Sequence, residues 1–186
     1  MRIESPDTDD AEAIADQWVA LAREQRAFGS HLLAEANRAT IRDAIVRHIV
    51  AGELLVARVD GDETNADAAN TAVANTDDSN AETTDTNEIV GFVMFGPEGD
   101  RYRQDVSRGI VRNVVVTPDR RNEGIGAALL AAAESALHES GFEAVGLSVL
   151  ADNDAARRFY RRAGYTPHRI DLEKRLESDT DKPEEG

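Results

Sequence analysis

Cysteine is missing from this chain of 186 residues. That excludes disulfides, a thiol nucleophile and thiolate-ligated metal. Histidine is scarce: His31, His48, His138 and His168 are scattered and share no ligand spacing, so no metal is expected. No run of ~18 apolar residues occurs, so no membrane-spanning helix is expected. The opening MRIESPDTDD lacks a basic stretch followed by an apolar one, so no signal peptide is expected either and a cytoplasmic location follows. Positive charge is in deficit, at a formal net charge of −15, which argues against nucleic acid as a partner.

The deficit is not evenly spread. Residues 60–88 hold nine acids (Asp60, Asp62, Glu63, Asp67, Asp77, Asp78, Glu82, Asp85, Glu88) and no Lys or Arg. The tail 177–186 holds five acids and one lysine. The body between them is close to neutral. Lysine occurs only at Lys174 and Lys182, so nearly all the basic residues are arginines. Acid-rich, lysine-poor and cysteine-free composition resembles that of halophilic proteins, whose charge repulsion is screened within ~3 Å in molar salt.

What is present is a regular alternation of elements. Residues 1–5 read as a first strand, followed by a turn and a helix to about Arg26, with Ile14, Trp18 and Leu21 at helical spacing. Ile41, Ile45 and Ile49 mark the buried stripe of a second helix, ended by Gly52. Leu54–Val59 and Ile89–Phe95 read as partner strands. The 60–88 segment between them carries no large apolar residue beyond Val73. It cannot bury enough surface to offset its ordering entropy, so a disordered insertion in a hairpin loop is expected. A strand over Ile110–Val116, a helix from Gly124 to about Ser140, and a strand over Phe142–Leu150 follow. At this length they imply a right-handed parallel crossover. Another helix runs to Gly164, and Tyr165–Leu176 reads as a final strand or strand pair.

The corner after Val114-Val115-Val116 carries the most chemical information. Thr117-Pro118-Asp119 stops the strand. Arg121-Asn122-Glu123-Gly124-Ile125-Gly126-Ala127 then opens a helix. The first turn of a helix offers amides with no intrahelical acceptor at the positive end of its dipole. Glycines there let a ligand approach the backbone. The product is a phosphate or pyrophosphate cradle, to which Arg120 and Arg121 can add charge-assisted bonds. No lysine completes a Walker loop. The third glycine of a dinucleotide fingerprint is replaced by Leu129, and the corner lies late in the chain.

Arg-x-x-Gly-x-Gly after a valine-rich strand resembles the acyl-CoA motif of the GNAT superfamily of N-acetyltransferases. A second stretch agrees: Leu147, Val149, Asn153, Ala156, Phe159, Tyr160, Gly164 and Tyr165 stand in the register of that family's C-terminal motif. The resemblance covers residues 1–176 apart from the insertion, with 177–186 an acidic tail. It implies an α/β (α+β) fold, a mixed sheet of six or seven strands flanked by about four helices, with a V-shaped splay between the strands ending at Val116 and Leu150. It implies acetyl-CoA as co-substrate in that splay. Val114, Val115 and Val116 would pair with its pantetheine arm, the amides of Arg121 to Ala127 would hold its pyrophosphate, and Asn153 would contact the pantetheine or cap the last helix. Homodimers are common in the family.

The implied chemistry is acetyl transfer from a thioester to a primary amine, on a small molecule or a peptide. An amine of pKa near ~10.4 must lose a proton before it attacks. The oxyanion needs an N–H donor, which a backbone amide of Val114–Val116 can supply. The departing thiolate needs a proton, and Tyr160 stands where the family places that acid. Many members also carry a carboxylate about where Ile110 to Asn113 stand, and here there is none. Glu88, Asp105, Glu143 or a water wire are the substitutes the sequence offers. Arg101, Arg103 and Arg108 lean toward an anionic group on the acceptor. The competing reading is a non-catalytic acyl-CoA-binding or sensing module.

Overall fold

The computed structural model describes residues 1–59, 88–99 and 105–176. The 60–87 part of the acidic segment, Arg101, Arg103 and the tail lie outside the described residues. The chain divides into two compact units, Met1–Asn153 and Asp154–Gly186.

The first unit is built on one sheet of five strands in the order β1-β2-β3-β4-β5. These are β1 (Arg2–Glu4), β2 (Leu54–Val59), β3 (Glu88–Pro97), β4 (Arg108–Val116) and β5 (Ala144–Leu147). The first four are antiparallel neighbours, and β5 joins β4 in parallel. β3 is central, and its residues Ile89–Gly96 are all buried. Such a strand shows a continuous apolar run rather than alternation, because both of its faces are covered.

Two helices cover one face. α1 (Ala11–Gln25) and α2 (Arg38–Val50) pack Ile14, Trp18 and Ile45 on Leu54, Val56, Phe92, Met94 and Val115. Ile41 and Ile49 complete the isoleucine stripe from partly buried positions. The helix α3 (Ile125–Glu139) covers the opposite face, burying Leu129, Leu130, Ala133 and Leu137. Gly109 permits this approach, because a Cβ there would lie 2.6 Å from Leu137 Cδ2. The α3 helix ends as expected, at Gly141 with φ +88°.

In the second unit, α4 (Asp154–Arg162) is followed by Tyr165–Leu176 without regular structure. This corrects the expected final strand or strand pair and lowers the strand count from six or seven to five. The segment does alternate, with Ile170 and Leu172 among polar residues, yet these two are 79% and 93% exposed. Alternation is a property of side chains. A strand exists only where backbone groups meet a partner edge, and Pro167 removes one donor. Among the described residues, no helix is long and apolar enough to cross a membrane.

Candidate active site

The antiparallel ladder between β3 and β4 slips once. Met94 pairs with Asn113 and Phe95 with Val111, so Arg112 is left over as a β-bulge. The bulge coincides with the end of the other ladder. β5 pairs with β4 only from Arg108↔Ala144 to Val111↔Leu147. Among the described residues, β4 continues to Val116 with no strand paired on that flank, while residues 148–150 have left the sheet. The two parallel strands part at the bulge. Val115 is buried against the α1 and α2 side, whereas Val114 and Val116 are half-buried.

β4 runs into the corner through a short 3-10 turn, Pro118–Arg120. Two residues of the corner adopt left-handed backbone, Asn122 at φ +69° and Gly124 at φ +85°. Asparagine tolerates that region and glycine occupies it without a steric penalty. The first helical bond of α3 is Ala128 N–H to Gly124 O, at 3.0 Å. The amides of Ile125, Gly126 and Ala127 therefore have no intrahelical acceptor. A Cβ placed on Gly124 would meet nothing within 4 Å, so the space beside the corner at that glycine is open.

The corner's arginines are already engaged. Arg120 pairs with Glu123 at 2.9 Å. The Arg121 Nη2 donates to both oxygens of Glu24 on α1, at 2.8 and 3.1 Å. Its Nε donates to Val116 O at 3.2 Å. Arg121 thus ties the corner to the last residue of β4 and to the last turn of α1. An anion here meets backbone amides, with the two guanidinium groups satisfied by carboxylates. Thr117 Oγ1, at the exit of β4, is buried without a hydrogen-bond partner among the described residues. The unpaired flank, the free amides and that orphan hydroxyl all suit a ligand bearing both amides and phosphates.

The remaining candidates distribute as follows. Asn153 closes the first unit, its amide donating to Leu150 O at 3.0 Å, and directly precedes α4. Tyr160 lies in the second unit. Its ring meets Phe159 and Tyr165 edge-on, at centroid distances of 5.1 and 5.9 Å. Burial pushes the Tyr160 hydroxyl above the usual phenol value, because the phenolate would lose solvation. Tyr160 is therefore protonated at neutral pH.

Of the proposed bases, Glu143 accepts from the Ser107 amide at 3.0 Å, tying together the starts of β4 and β5. Glu88 and Asp105 are exposed. Two partly buried pairs were not singled out from the sequence; each joins a residue of an element to one in a connecting segment. His48 Nδ1 lies 2.8 Å from Glu53 Oε2. The Glu53 carboxylate seats over Gly96, where a Cβ would be 2.7 Å from its Oε2, and Gly96 is the cross-strand partner of Ile110. Arg108 lies 3.0 Å from Glu98 Oε2, oriented so that this buried oxygen receives no directed hydrogen bond. Arg108 is thereby occupied by Glu98.

The family model described as Acetyltransferase (GNAT) family matches residues 62–165. The chain belongs to the GNAT acetyltransferase family. Two curated proteins named mycothiol acetyltransferase are similar to it. That of Clavibacter michiganensis subsp. michiganensis is 30% identical over 162 residues, 87% of this chain and 42% of that protein. That of Clavibacter sepedonicus is 45% identical over 60 residues, 32% of this chain and 20% of that protein. The chain spans less than half the length of these relatives. Among solved structures, a mutant protein from Bacillus halodurans superposes with a TM-score of 0.67 at 17% identity, covering 95% of this chain and 99% of that one. A GCN5-related N-acetyltransferase from Ralstonia eutropha gives 0.61 at 20% identity, covering 94% and 97%. The GNAT fold accounts for the five-stranded mixed sheet with its parallel pair.

Proposed function

We infer that this GNAT protein transfers an acetyl group from acetyl-CoA to a primary amine. One observation carries the reading: β4 outruns β5 beyond Val111 and leads directly into the amides of Ile125, Gly126 and Ala127, which have no intrahelical acceptor. The flank of Val114–Val116 would hold the pantetheine arm as an added strand, and the corner from Arg121 to Ala127 would hold the pyrophosphate. The thioester supplies an activated acetyl group. A β4 amide beyond the bulge donates to the carbonyl oxygen as charge develops there. The amine nitrogen forms the new C–N bond and gives up its proton. The C–S bond breaks and the thiolate sulfur takes up a proton; Tyr160, protonated at neutral pH and in the register of the family's C-terminal motif, is the donor this reading assigns.

The missing carboxylate at Ile110–Asn113 supports a second reading, an acyl-CoA-binding module without turnover. Thermal unfolding with acetyl-CoA, and with NADH as control, tests the shared premise. A ligand at 100 times its dissociation constant adds ~2.7 kcal/mol and raises the midpoint by several degrees. Stabilisation by NADH alone, or by neither, defeats both readings. Once acetyl-CoA stabilises the protein, release of free CoA thiol with a panel of primary amines separates them, since a binding module releases none above background.

A further inference from the structure

Acetyl transfer needs a group to take the amine's proton, and β4 carries no carboxylate from Ile110 to Asn113. The sheet decides which side chains stand beside that stretch. Gly96 is the cross-strand partner of Ile110, two residues beyond Met94, which pairs with Asn113. Met94 belongs to the core under α1 and α2, so alternation puts Gly96 and Ile110 on that same face. The Glu53 carboxylate takes the place of the side chain that Gly96 lacks: a Cβ there would lie 2.7 Å from its Oε2 and 3.2 Å from its Oε1. A carboxylate therefore stands beside Ile110 without being carried by β4. Glu53 is held there from several directions. Gly52, in left-handed backbone at φ +70°, turns the chain out of α2, and the Glu53 amide donates back to His48 O at 2.8 Å. The Phe95 amide of β3 donates to Glu53 O at 2.9 Å. Oε2 meets His48 Nδ1 at 2.8 Å, while Oε1 has no hydrogen-bond partner among the described residues. The two side chains are 18% and 27% exposed, so solvent reaches the pair.

We propose that Glu53 is the proton acceptor of the transfer, with His48 as its positioning residue. The proposal rests on the acetyltransferase reading and assigns the role that β4 leaves empty. Along β3 the carboxylate lies two residues, ~7 Å, from the Met94–Asn113 pair at the bulge. An amine attacking a carbonyl held by the β4 amide beyond the bulge reaches Oε1 through bridging water. The acceptor arrives as an ammonium, and Glu53 takes one proton from it. The freed lone pair forms the C–N bond, and the electrons of the C–S bond go to sulfur. The second proton that nitrogen gives up balances the one that sulfur takes, and Glu53 releases its own to water. His48 fixes Oε2 and leaves Oε1 for the proton. Glu98 and Glu143 cannot replace Glu53, because Arg108 and the Ser107 amide occupy them.

Glu53→Gln keeps the shape of the side chain and removes its basicity. Acetyl-CoA affinity by calorimetry should stay within about twofold, while kcat, read as release of CoA thiol, should fall ~10²-fold or more with amines of pKa near ~10.4. The deficit should shrink to below about tenfold with acceptors of pKa near ~7.7, which are largely neutral at pH ~8 and need no base to start. Adding Ile110→Glu to Glu53→Gln returns a carboxylate to the same face and should recover about tenfold of the lost rate. Wild-type kcat in Glu53→Gln overturns the proposal. So does a deficit of the same size whatever the amine pKa, or one matched by an equal loss of acetyl-CoA affinity, since either marks a structural role. Where Glu53→Gln does not fold, Glu53→Asp decides: it keeps the charge and withdraws it by one methylene, so kcat should fall about tenfold, and wild-type kcat overturns the proposal. Wild-type protein that binds acetyl-CoA and releases no thiol with any amine defeats the acetyltransferase reading and this proposal with it, whereas normal turnover in the variant defeats the proposal alone.

Discussion

Arg121 and Glu24 stand 97 residues apart in sequence and meet in a forked ion pair between the glycine corner and α1. The same guanidinium holds Val116 O, so one side chain sets the end of β4, the corner and the helix against each other. Both partners are roughly half exposed, which limits what the pair adds to global stability. A double-mutant cycle of Glu24→Gln and Arg121→Gln in denaturant should return a coupling of ~0.2–1 kcal/mol. Acetyl-CoA affinity should fall severalfold in each single variant, because the corner loses its anchor while its amides remain. Unchanged affinity by calorimetry would show that the corner holds its shape without Arg121.

Two glycines should fail in different ways. Gly124→Val forces a β-branched residue into left-handed backbone at φ +85°, where the surrounding space is empty. Backbone strain of at least ~1–2 kcal/mol follows, relieved by remodelling the corner, so acetyl-CoA binding should weaken at least tenfold. Gly109→Ala keeps an ordinary backbone and pushes on Leu137, costing ~1–3 kcal/mol of stability while leaving ligand affinity within about twofold. Unfolding curves and ligand titrations on both variants measure the contrast.

Tyr160→Phe should lower turnover ~10²- to 10⁴-fold with cofactor affinity nearly unchanged, the split expected of a proton donor. The raised hydroxyl pKa also has a thermodynamic sign. The folded state holds this proton more tightly than the unfolded state, so the contribution is complete below the unfolded value of ~10. It is lost as pH rises through the higher folded value. Wild type should therefore lose stability above pH ~10 more steeply than Tyr160→Phe, as read from chemical denaturation at several alkaline pH values.

Glu12 has the opposite sign. Hydrogen bonds from Arg38 and Arg42 on α2 hold its carboxyl below the usual range. The contribution is present above the unfolded value, near 4.5, and disappears as pH falls through the lower folded one. Glu12→Gln should flatten the acid limb of the stability curve below pH ~4.5. High salt should shrink the difference, since the network is at the surface.

Backbone exchange tests the missing strands directly. Amides of residues 168–176 should exchange with little protection, in contrast to those of β3. Ile170→Ser and Leu172→Ser should each change stability by less than ~0.5 kcal/mol, consistent with their exposure. Strong protection across this segment would restore the strand.

Local rules were enough for much of this molecule. Valines at 114–116, a stop at Pro118, glycines at 124 and 126 and a left-handed cap at Gly141 each act within a few residues. The corner and its helix were therefore readable without coordinates. The isoleucine stripe at 41, 45 and 49 follows from the helical period alone, and so does the burial of Trp18. Other features depend on which segments meet. The bulge at Arg112 exists only because β3 and β4 pair in a given register, and the parting of β4 from β5 only because one ladder stops at Val111. The arginines of the corner were expected to face an anion, yet the fold brings Glu24 to Arg121 from 97 residues away. His48–Glu53 over Gly96 and Arg108–Glu98 are likewise set by packing rather than spacing. The alternation at Ile170 and Leu172 marks the remaining limit: sequence encodes the two faces of a strand, and tertiary structure decides whether a neighbour is there to make it one.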